Sequence, residues 1–246
     1  MPTTPQTIVI ATGNPHKVRE LRTMLALPGL RFVGLGDLPE PSGGFFEPDE
    51  VGTTFEQNAA IKALSYAQQT GLPCLADDSG LEVDALSGSP GVISSHYCTN
   101  GKEVGMSRDQ RDLANNELLL KKLATVPAAQ RSARFVCVMT LATPTTPTAA
   151  NTNNAPARDR DRDRETADDT PHIVTSVKGL YEGRIGIPPA VPAGTHGFGY
   201  DPLFLVSPDF ACTSAELLPE EKNAHSHRAV AAVRMLDELR TVFQLA

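Results

Sequence analysis

Thr7-Ile8-Val9-Ile10-Ala11-Thr12-Gly13-Asn14-Pro15-His16-Lys17 changes character halfway along. Thr7 to Ala11 is a compact β-branched, apolar run, which predicts a buried strand. Thr12 and Gly13 turn the chain. Asn14 suits a helix N-cap, and Pro15 suits the first helical position, where a missing N–H costs nothing. Val18, Leu21 and Leu25 then share one face, and Pro28-Gly29 stops the pattern. Strand–turn–helix junctions of this kind are the joints of α/β proteins, and the chain is read as one. The junction also gathers free backbone N–H groups and the positive end of a helix dipole, with Lys17 beside them, an arrangement that favours an anion. It is not a P-loop, because GxxxxGK[ST] is absent.

Outward from this junction, Arg31 to Leu35 predicts a second strand, and residues 36–52, rich in Gly, Pro and acid, predict loop. Thr54-Phe55-Glu56-Gln57 is a capping box opening a helix that runs to about Thr70 and closes on Gly71. Glu50 lies just upstream on loop, and Lys62 lies within the helix, where the plainer reading is a solvated charge. Leu72 to Ala76 reads as a strand feeding a turn at Asp77-Asp78-Ser79-Gly80. Adjacent strand residues point to opposite faces, so one site receives only one of the two carboxylates. The plainer reading of this cluster is an Asx-type turn.

Leu81 to Leu86 alternates weakly as a further strand, and Gly88-Ser89-Pro90-Gly91 is a tight turn. Ser107 with Gln110 opens a helix continuing towards Leu123, with apolar positions at Leu113, Leu120 and Leu123. Strands are predicted at Arg134 to Leu141, at His172 to Ile185 with a bend at Gly179 or Gly183, and at Leu203 to Val206. Ser226 caps a last helix whose apolar face is read as Val230, Val233, Leu236, Leu239 and Phe243. Between Thr195 and Pro202, glycines flank Phe198, which suits either a loop that stacks on a planar ligand or a turn that plugs the core. His227 and Arg228 fall in the first turn of the last helix, against the dipole preference, which suits either an anionic or acceptor-rich partner or a surface-exposed position.

The chain has 246 residues, 40% apolar and 21% charged, enough for one large globular domain or two small ones and for a substantial core. A formal charge of −7 argues against a general nucleic-acid surface while allowing a local basic pocket. No apolar run approaches the ~18 residues of a membrane span, and Met1 to Thr7 shows no basic-then-apolar leader. Cys74, Cys98, Cys137 and Cys212 form no CxxC pair and read as small buried residues of a reducing compartment, by default the cytoplasm. Residues 143–171 differ in kind: Pro, Thr, Ala and Asn come first, then Arg and Asp alternate from Arg158 to Arg164. Such a segment buries too little to offset ordering entropy, and it predicts a disordered insertion between two strands, with a fluctuating helix stitched by charge pairs as the second reading.

Five motifs then stand in order: TGNPHK (12–17), TFEQNA (54–59), ADDSGLEVDAL (76–86) with SPG (89–91), HGFGYDPLF (196–204) and EEKNAHSHR (220–228). Together they resemble the inosine triphosphate pyrophosphatase family over nearly the whole chain outside 143–171. The resemblance implies an elongated mixed α/β fold, with a long twisted central sheet flanked by helices and a cleft between two lobes. It implies hydrolysis of ITP, dITP or XTP between the α- and β-phosphates, a Mg²⁺ cofactor and a homodimer. Residue by residue, it implies that Thr12, Gly13, Asn14, Pro15, His16 and Lys17 hold the triphosphate and that Lys62 approaches the phosphates. Glu50 and Asp78 match the metal ligands, and Asp78 also matches the proton acceptor. Ser79 matches a substrate contact, and Phe198, Gly199, Tyr200, Asp201, Lys222, His227 and Arg228 match the pocket for base and sugar. Gln57 stands where many relatives carry Glu, a change a capping box tolerates. Whether Asp77 shares the task of Asp78 stays open at this level. A pyrophosphatase for modified pyrimidines and a non-catalytic nucleotide-binding regulator are the rival readings.

Overall fold

In the computed structural model, which describes residues 5–39, 41–144 and 170–245, the opening junction forms as its residues dictate. Strand β1 (Gln6–Ile10) feeds helix α1 (Pro15–Met24), and β2 (Leu30–Gly34) returns parallel to β1. Helix α2 (Phe55–Thr70) then leads to β3 (Cys74–Val83), which pairs parallel with β1 on its other flank. Alternation along β1 sorts the two helices. Ile8 and Ile10 pack with Leu21 of α1 and with Leu25 just past its end, whereas Val9 packs with Ala63, Tyr66 and Ala67 of α2. The chain thus leaves β1 towards one neighbour and returns to the other, on opposite faces. That makes the gap between the carboxyl ends of β1 and β3 a topological switch point, where open α/β sheets bind ligands.

The remaining elements are α3 (Arg108–Lys122), β4 (Ser132–Thr143), β5 (His172–Ile185), β6 (Phe204–Val206), α4 (Pro219–His225) and α5 (His227–Val242). They complete a six-stranded mixed sheet of order β2-β1-β3-β4-β5-β6, whose last three pairings are antiparallel. Most of the expected insertion, residues 145–169, lies outside the described residues. Among the described residues, no helix is long and apolar enough to cross a membrane.

β3 corrects the expected turn at the acid pair. Every residue from Cys74 to Val83 pairs with β4, so Asp77-Asp78-Ser79-Gly80 is mid-strand, and no separate strand begins at Leu81. Turn-forming letters are overridden here by continuous cross-strand pairing. Gly80 is needed for close packing instead, because a Cβ there would meet Ser94 Oγ at 2.4 Å and the Gly91 carbonyl at 2.6 Å. β3 also outlasts β1: only Val9 and Ile10 pair with it, through Cys74 and Leu75. Asp77 and Asp78 therefore stand just past the end of β1, where the turn at Thr12 to Asn14 begins.

One face of β3 reads Leu75, Asp77, Ser79, Leu81. Leu75 belongs to the apolar cluster under α1 and α5, and Leu81 to a second cluster that includes Leu119, Phe135, Tyr181 and Phe204. The polar pair occupies the seam between two cores. Helix α5 lands its N-terminus on that seam because Gly179 of β5 lets it approach. A Cβ on Gly179 would lie 2.1 Å from the His227 carbonyl oxygen and 2.5 Å from the Ala231 nitrogen. The expected bend is elsewhere: the register between β4 and β5 slips at Leu141/Ala142, not at either glycine. Two apolar assignments also fail. Leu113 and Val233 are exposed, and the buried stripes run through Leu119 and Leu123 and through Ala231, Ala232, Met235 and Leu239. Spacing of three and four defines a stripe but not which neighbouring stripe meets the core. Gly179→Ala should destabilise the protein by ~2 kcal/mol, because backbone has to move to admit the methyl. A chemical-denaturation midpoint unchanged from wild type would refute that packing.

Candidate active site

Around the switch point the two carboxylates of β3 go to different partners. Asp77 turns to the α1/α5 face, where its Oδ2 meets Lys17 Nζ at 2.9 Å, Arg228 at 3.5 Å and the Ser79 hydroxyl at 2.8 Å. Arg228 reaches on to Glu20 of α1 at 3.0 Å and to Ser79 Oγ at 3.4 Å. Burial alone would raise Asp77, but Lys17, then Arg228 and Lys62, outweigh it and hold the carboxyl well below the usual carboxylate range. The cation in the first turn of α5 thus has its anionic partners, which offset the unfavourable dipole.

Asp78 faces the other side of the sheet, towards α2. Its Oδ1 accepts a hydrogen bond from Lys62 Nζ at 3.0 Å, and the same ammonium lies 3.1 Å from Glu50 Oε2. Glu50 and Asp78 are therefore neighbours across one lysine. Lys62 is not the solvated helix charge of the plainer reading; it is buried. Burial pushes Asp78 up, and although Lys62 opposes this, Glu50 adds to it, leaving the carboxyl raised to about 6. One ammonium cannot satisfy two carboxylates. Burial opposes the charge of Lys62, yet Asp78 and Glu50 together raise it.

Helix α2 builds this arrangement by gripping the loop that carries Glu50. Asn58 Oδ1 accepts the Gly52 N–H at 2.8 Å, and the Gln69 amide bonds both the N–H and the carbonyl of Phe46. Thr54 caps the helix by accepting from Gln57 N–H, while Gln57 Oε1 reaches back to the Thr53 N–H, one residue earlier than a standard capping box. On the opposite wall, Thr12 Oγ1 accepts from Asn14 N–H, and Asn14 Oδ1 accepts from Lys17 N–H, with Pro15 and His16 forming the first turn of α1. A Cβ on Gly13 would meet nothing within 4 Å, so this backbone is open to an approaching group.

The third wall is the 196–201 loop. Phe198 is 43% exposed, with the Arg108 guanidinium 4.5 Å and Lys222 Nζ 5.4 Å from its ring centroid, so it does not plug the core. Tyr200 and Asp201 are buried beneath it. Asp201 accepts from Phe198 N–H at 2.8 Å and pairs with Lys222, and the Tyr200 hydroxyl donates to the Ser94 carbonyl. Gly197 must be glycine, since it has φ +78° and a Cβ would strike the Asp201 carboxylate. His227 lies between this wall and Asp77, stacked on Phe135 at 5.2 Å. Burial, then Arg228 and Lys222, hold it well below its ordinary value, which disfavours the imidazolium.

A Ham1 family model matches residues 8–157 and 164–238 of this chain. The chain belongs to the Ham1 family. A dITP/XTP pyrophosphatase of Nitratidesulfovibrio vulgaris is 42% identical over 95% of this chain and 96% of its own. One of Yersinia pseudotuberculosis is 42% identical over 96% and 98%. The solved Staphylococcus aureus Ham1 protein superposes with a TM-score of 0.70 at 32% identity, covering 96% of this chain and all of that one. The dITP/XTP pyrophosphatase structure from Mycobacterium abscessus gives 0.64 at 37% identity, over 94% and 99%. The mixed curled sheet with flanking helices is thus the Ham1 fold.

Sequence reading missed Glu20, Asn58, Asp112 and Asn116 as parts of the site's walls. Asn115-Asn116 in mid-helix was the available signal, since Asn is disfavoured there unless its amide is occupied.

Proposed function

We propose that the chain hydrolyses the non-standard purine nucleoside triphosphates dITP, XTP and ITP at the α–β anhydride, yielding a nucleoside monophosphate and pyrophosphate. The observation that carries this reading is the meeting of Glu50, Lys62 and Asp78 beside the open turn at Gly13 and Lys17. A triphosphate lying along that turn would receive N–H groups, the α1 dipole and two ammonium groups, the electrostatic neutralisation that phosphoryl transfer requires.

Mg²⁺ fits the residues present. Asp78 Oδ2 is buried without a hydrogen-bond partner, and Glu50 offers a second hard oxygen donor nearby. Among the described residues no cluster of three His, Cys, Asp or Glu stands ready for a metal. A pair of carboxylates plus water and phosphate oxygens is the usual Mg²⁺ arrangement, and Glu50 and Asp78 would hold it. Bound there, it would neutralise phosphate charge and polarise water. Asp78 is raised to about 6 in the metal-free site; holding the ion would lower it, so it would take the proton of the attacking water mainly by orienting a water that the metal polarises. Asp77 is a poor base, because its charge is already spent on Lys17 and Arg228. Asp77 is thereby assigned to positioning and Asp78 to chemistry.

Phe198 would stack on the base. Hypoxanthine and xanthine present a 6-keto acceptor where adenine presents a donor, so a donor at that position leaves bound adenine with an unpaired group. Arg228 is the candidate, since its Nε–H is buried without a partner. Pyrophosphate release from ITP, XTP, dITP, ATP and GTP with and without Mg²⁺ tests the reading. Release confined to the first three and dependent on the metal is expected. Activity on modified pyrimidines alone, or none, would select a rival. Arg228→Ala should erode the preference for ITP over ATP, and an unchanged ratio of kcat/KM would remove Arg228 from base selection. The family resemblance extends the reading to a cytoplasmic homodimer, which sedimentation velocity would measure.

A further inference from the structure

Helix α3 carries Arg108, Asp112 and Asn116 at spacings of four, hence on one face. That stripe is distinct from the core stripe of Asn115, Leu119 and Leu123, and all three of its members touch the Phe198 loop. Asp112 Oδ2 accepts the Gly199 N–H at 3.0 Å, and Asn116 Nδ2 donates to the Gly199 carbonyl at 3.0 Å. Both peptide groups of one residue are therefore held by a single helix. Arg108, which lies 3.9 Å from Asp112, spreads its guanidinium over the Phe198 ring next door. Gly199 sits at φ +62°, and a Cβ there would meet nothing within 4 Å. Internal packing does not define its place, so these two side-chain bonds do. Asn115 meanwhile bonds Cys98 N–H and the carbonyls of Ser94 and Ser95, and the Tyr200 hydroxyl also reaches Ser94. The loop is thus moored to α3 directly through Gly199 and indirectly through the 94–98 segment.

We propose that Asp112 and Asn116 are positioning residues for base recognition. They fix Gly199, and through it the angle at which Phe198 meets a purine, without touching the phosphates. The proposal rests on the reading of Phe198 as the base-stacking residue. On that reading the reacting anhydride lies between Lys17 on one side and Lys62, Glu50 and Asp78 on the other. Among the described residues none of these four bonds to the Phe198 loop, so a loosened Phe198 affects base binding and leaves the chemical step alone.

The test compares Asp112→Ala, Asn116→Ala and Asp112→Asn with wild type. Asp112→Asn keeps an oxygen that accepts the Gly199 N–H. The two alanine variants should raise KM for ITP ~10-fold with kcat within about threefold, the size of effect expected when a contact group is misplaced by a fraction of an ångström. Competitive inhibition by inorganic tripolyphosphate, which has no base, should stay at the wild-type value, and Asp112→Asn should restore most of the KM. An unchanged KM overturns the proposal while wild-type turnover of ITP keeps the functional reading intact. A parallel fall in kcat, weakened tripolyphosphate inhibition or a collapsed melting temperature also overturns it, by showing a merely structural role. A wild type that hydrolyses no purine triphosphate overturns both.

Discussion

Asp78→Asn should lower turnover by ~10³-fold or more, removing a general base and one metal-binding oxygen together, while nucleotide binding stays measurable. The same substitution should make the ligand-free protein more stable at neutral pH. Asp78 is buried, the ammonium that it contacts is shared with Glu50, and its folded pKa is raised to about 6. A carboxyl raised on folding contributes stability that is fully present below its unfolded value near 3.8 and is lost as pH rises through about 6. Metal-free wild type should therefore lose stability across that window, and Asp78→Asn should lose less, gaining on the order of 1–3 kcal/mol at pH 7 relative to wild type. Stopped assays for pyrophosphate release and denaturant titrations between pH 4 and 8 measure the two effects. Near-wild-type turnover would overturn the catalytic assignment. A flat pH dependence in wild type would overturn the electrostatic one.

Asp77→Ala should destabilise the fold by ~2 kcal/mol or more, because it removes the buried carboxylate shared by Lys17 and Arg228 and leaves the buried Arg228 with Glu20 for its ion-pair partner. Its sign with pH is opposite to that of Asp78. Burial disfavours the Asp77 carboxylate, but Lys17, Arg228 and Lys62 overcome this and depress its folded value. The stability it contributes is present above the unfolded value and is lost as pH falls through the folded one. The variant should therefore lie closest to wild type in strong acid and furthest from it at neutral pH. Asp77→Asn keeps the Ser79 hydrogen bond and should recover part of the loss. Melting temperatures equal to wild type at pH 7 would mean that Lys17 and Arg228 find other partners. Two consecutive aspartates thus separate by their effects: one variant loses activity and gains stability, and the other loses stability first.

Local letters carried much of this protein. The strand and turn from Thr7 to Asn14, the caps at Asn14, Thr54, Ser107 and Ser226, and the close of α2 on Gly71 all follow from near-neighbour chemistry. Of the two readings open for His227-Arg228, the structure selected the anionic partner for Arg228, in Asp77 and Glu20. The five ordered motifs were enough to indicate the family.

Which acid faces which cation is different. It depends on β3 continuing as a strand past the end of β1, and that depends on β4, more than fifty residues later in the chain, pairing with every residue from Cys74 to Val83. The role of Gly179 likewise became visible only once α5 lay across it, and that of Asn116 only once the Phe198 loop lay beside α3. Sequence alone determined the parts and their local geometry, since caps, turns and periodicity act within a few residues. Tertiary structure decided the division of labour between Asp77 and Asp78, because strand parity has no meaning until long-range pairing defines the strand.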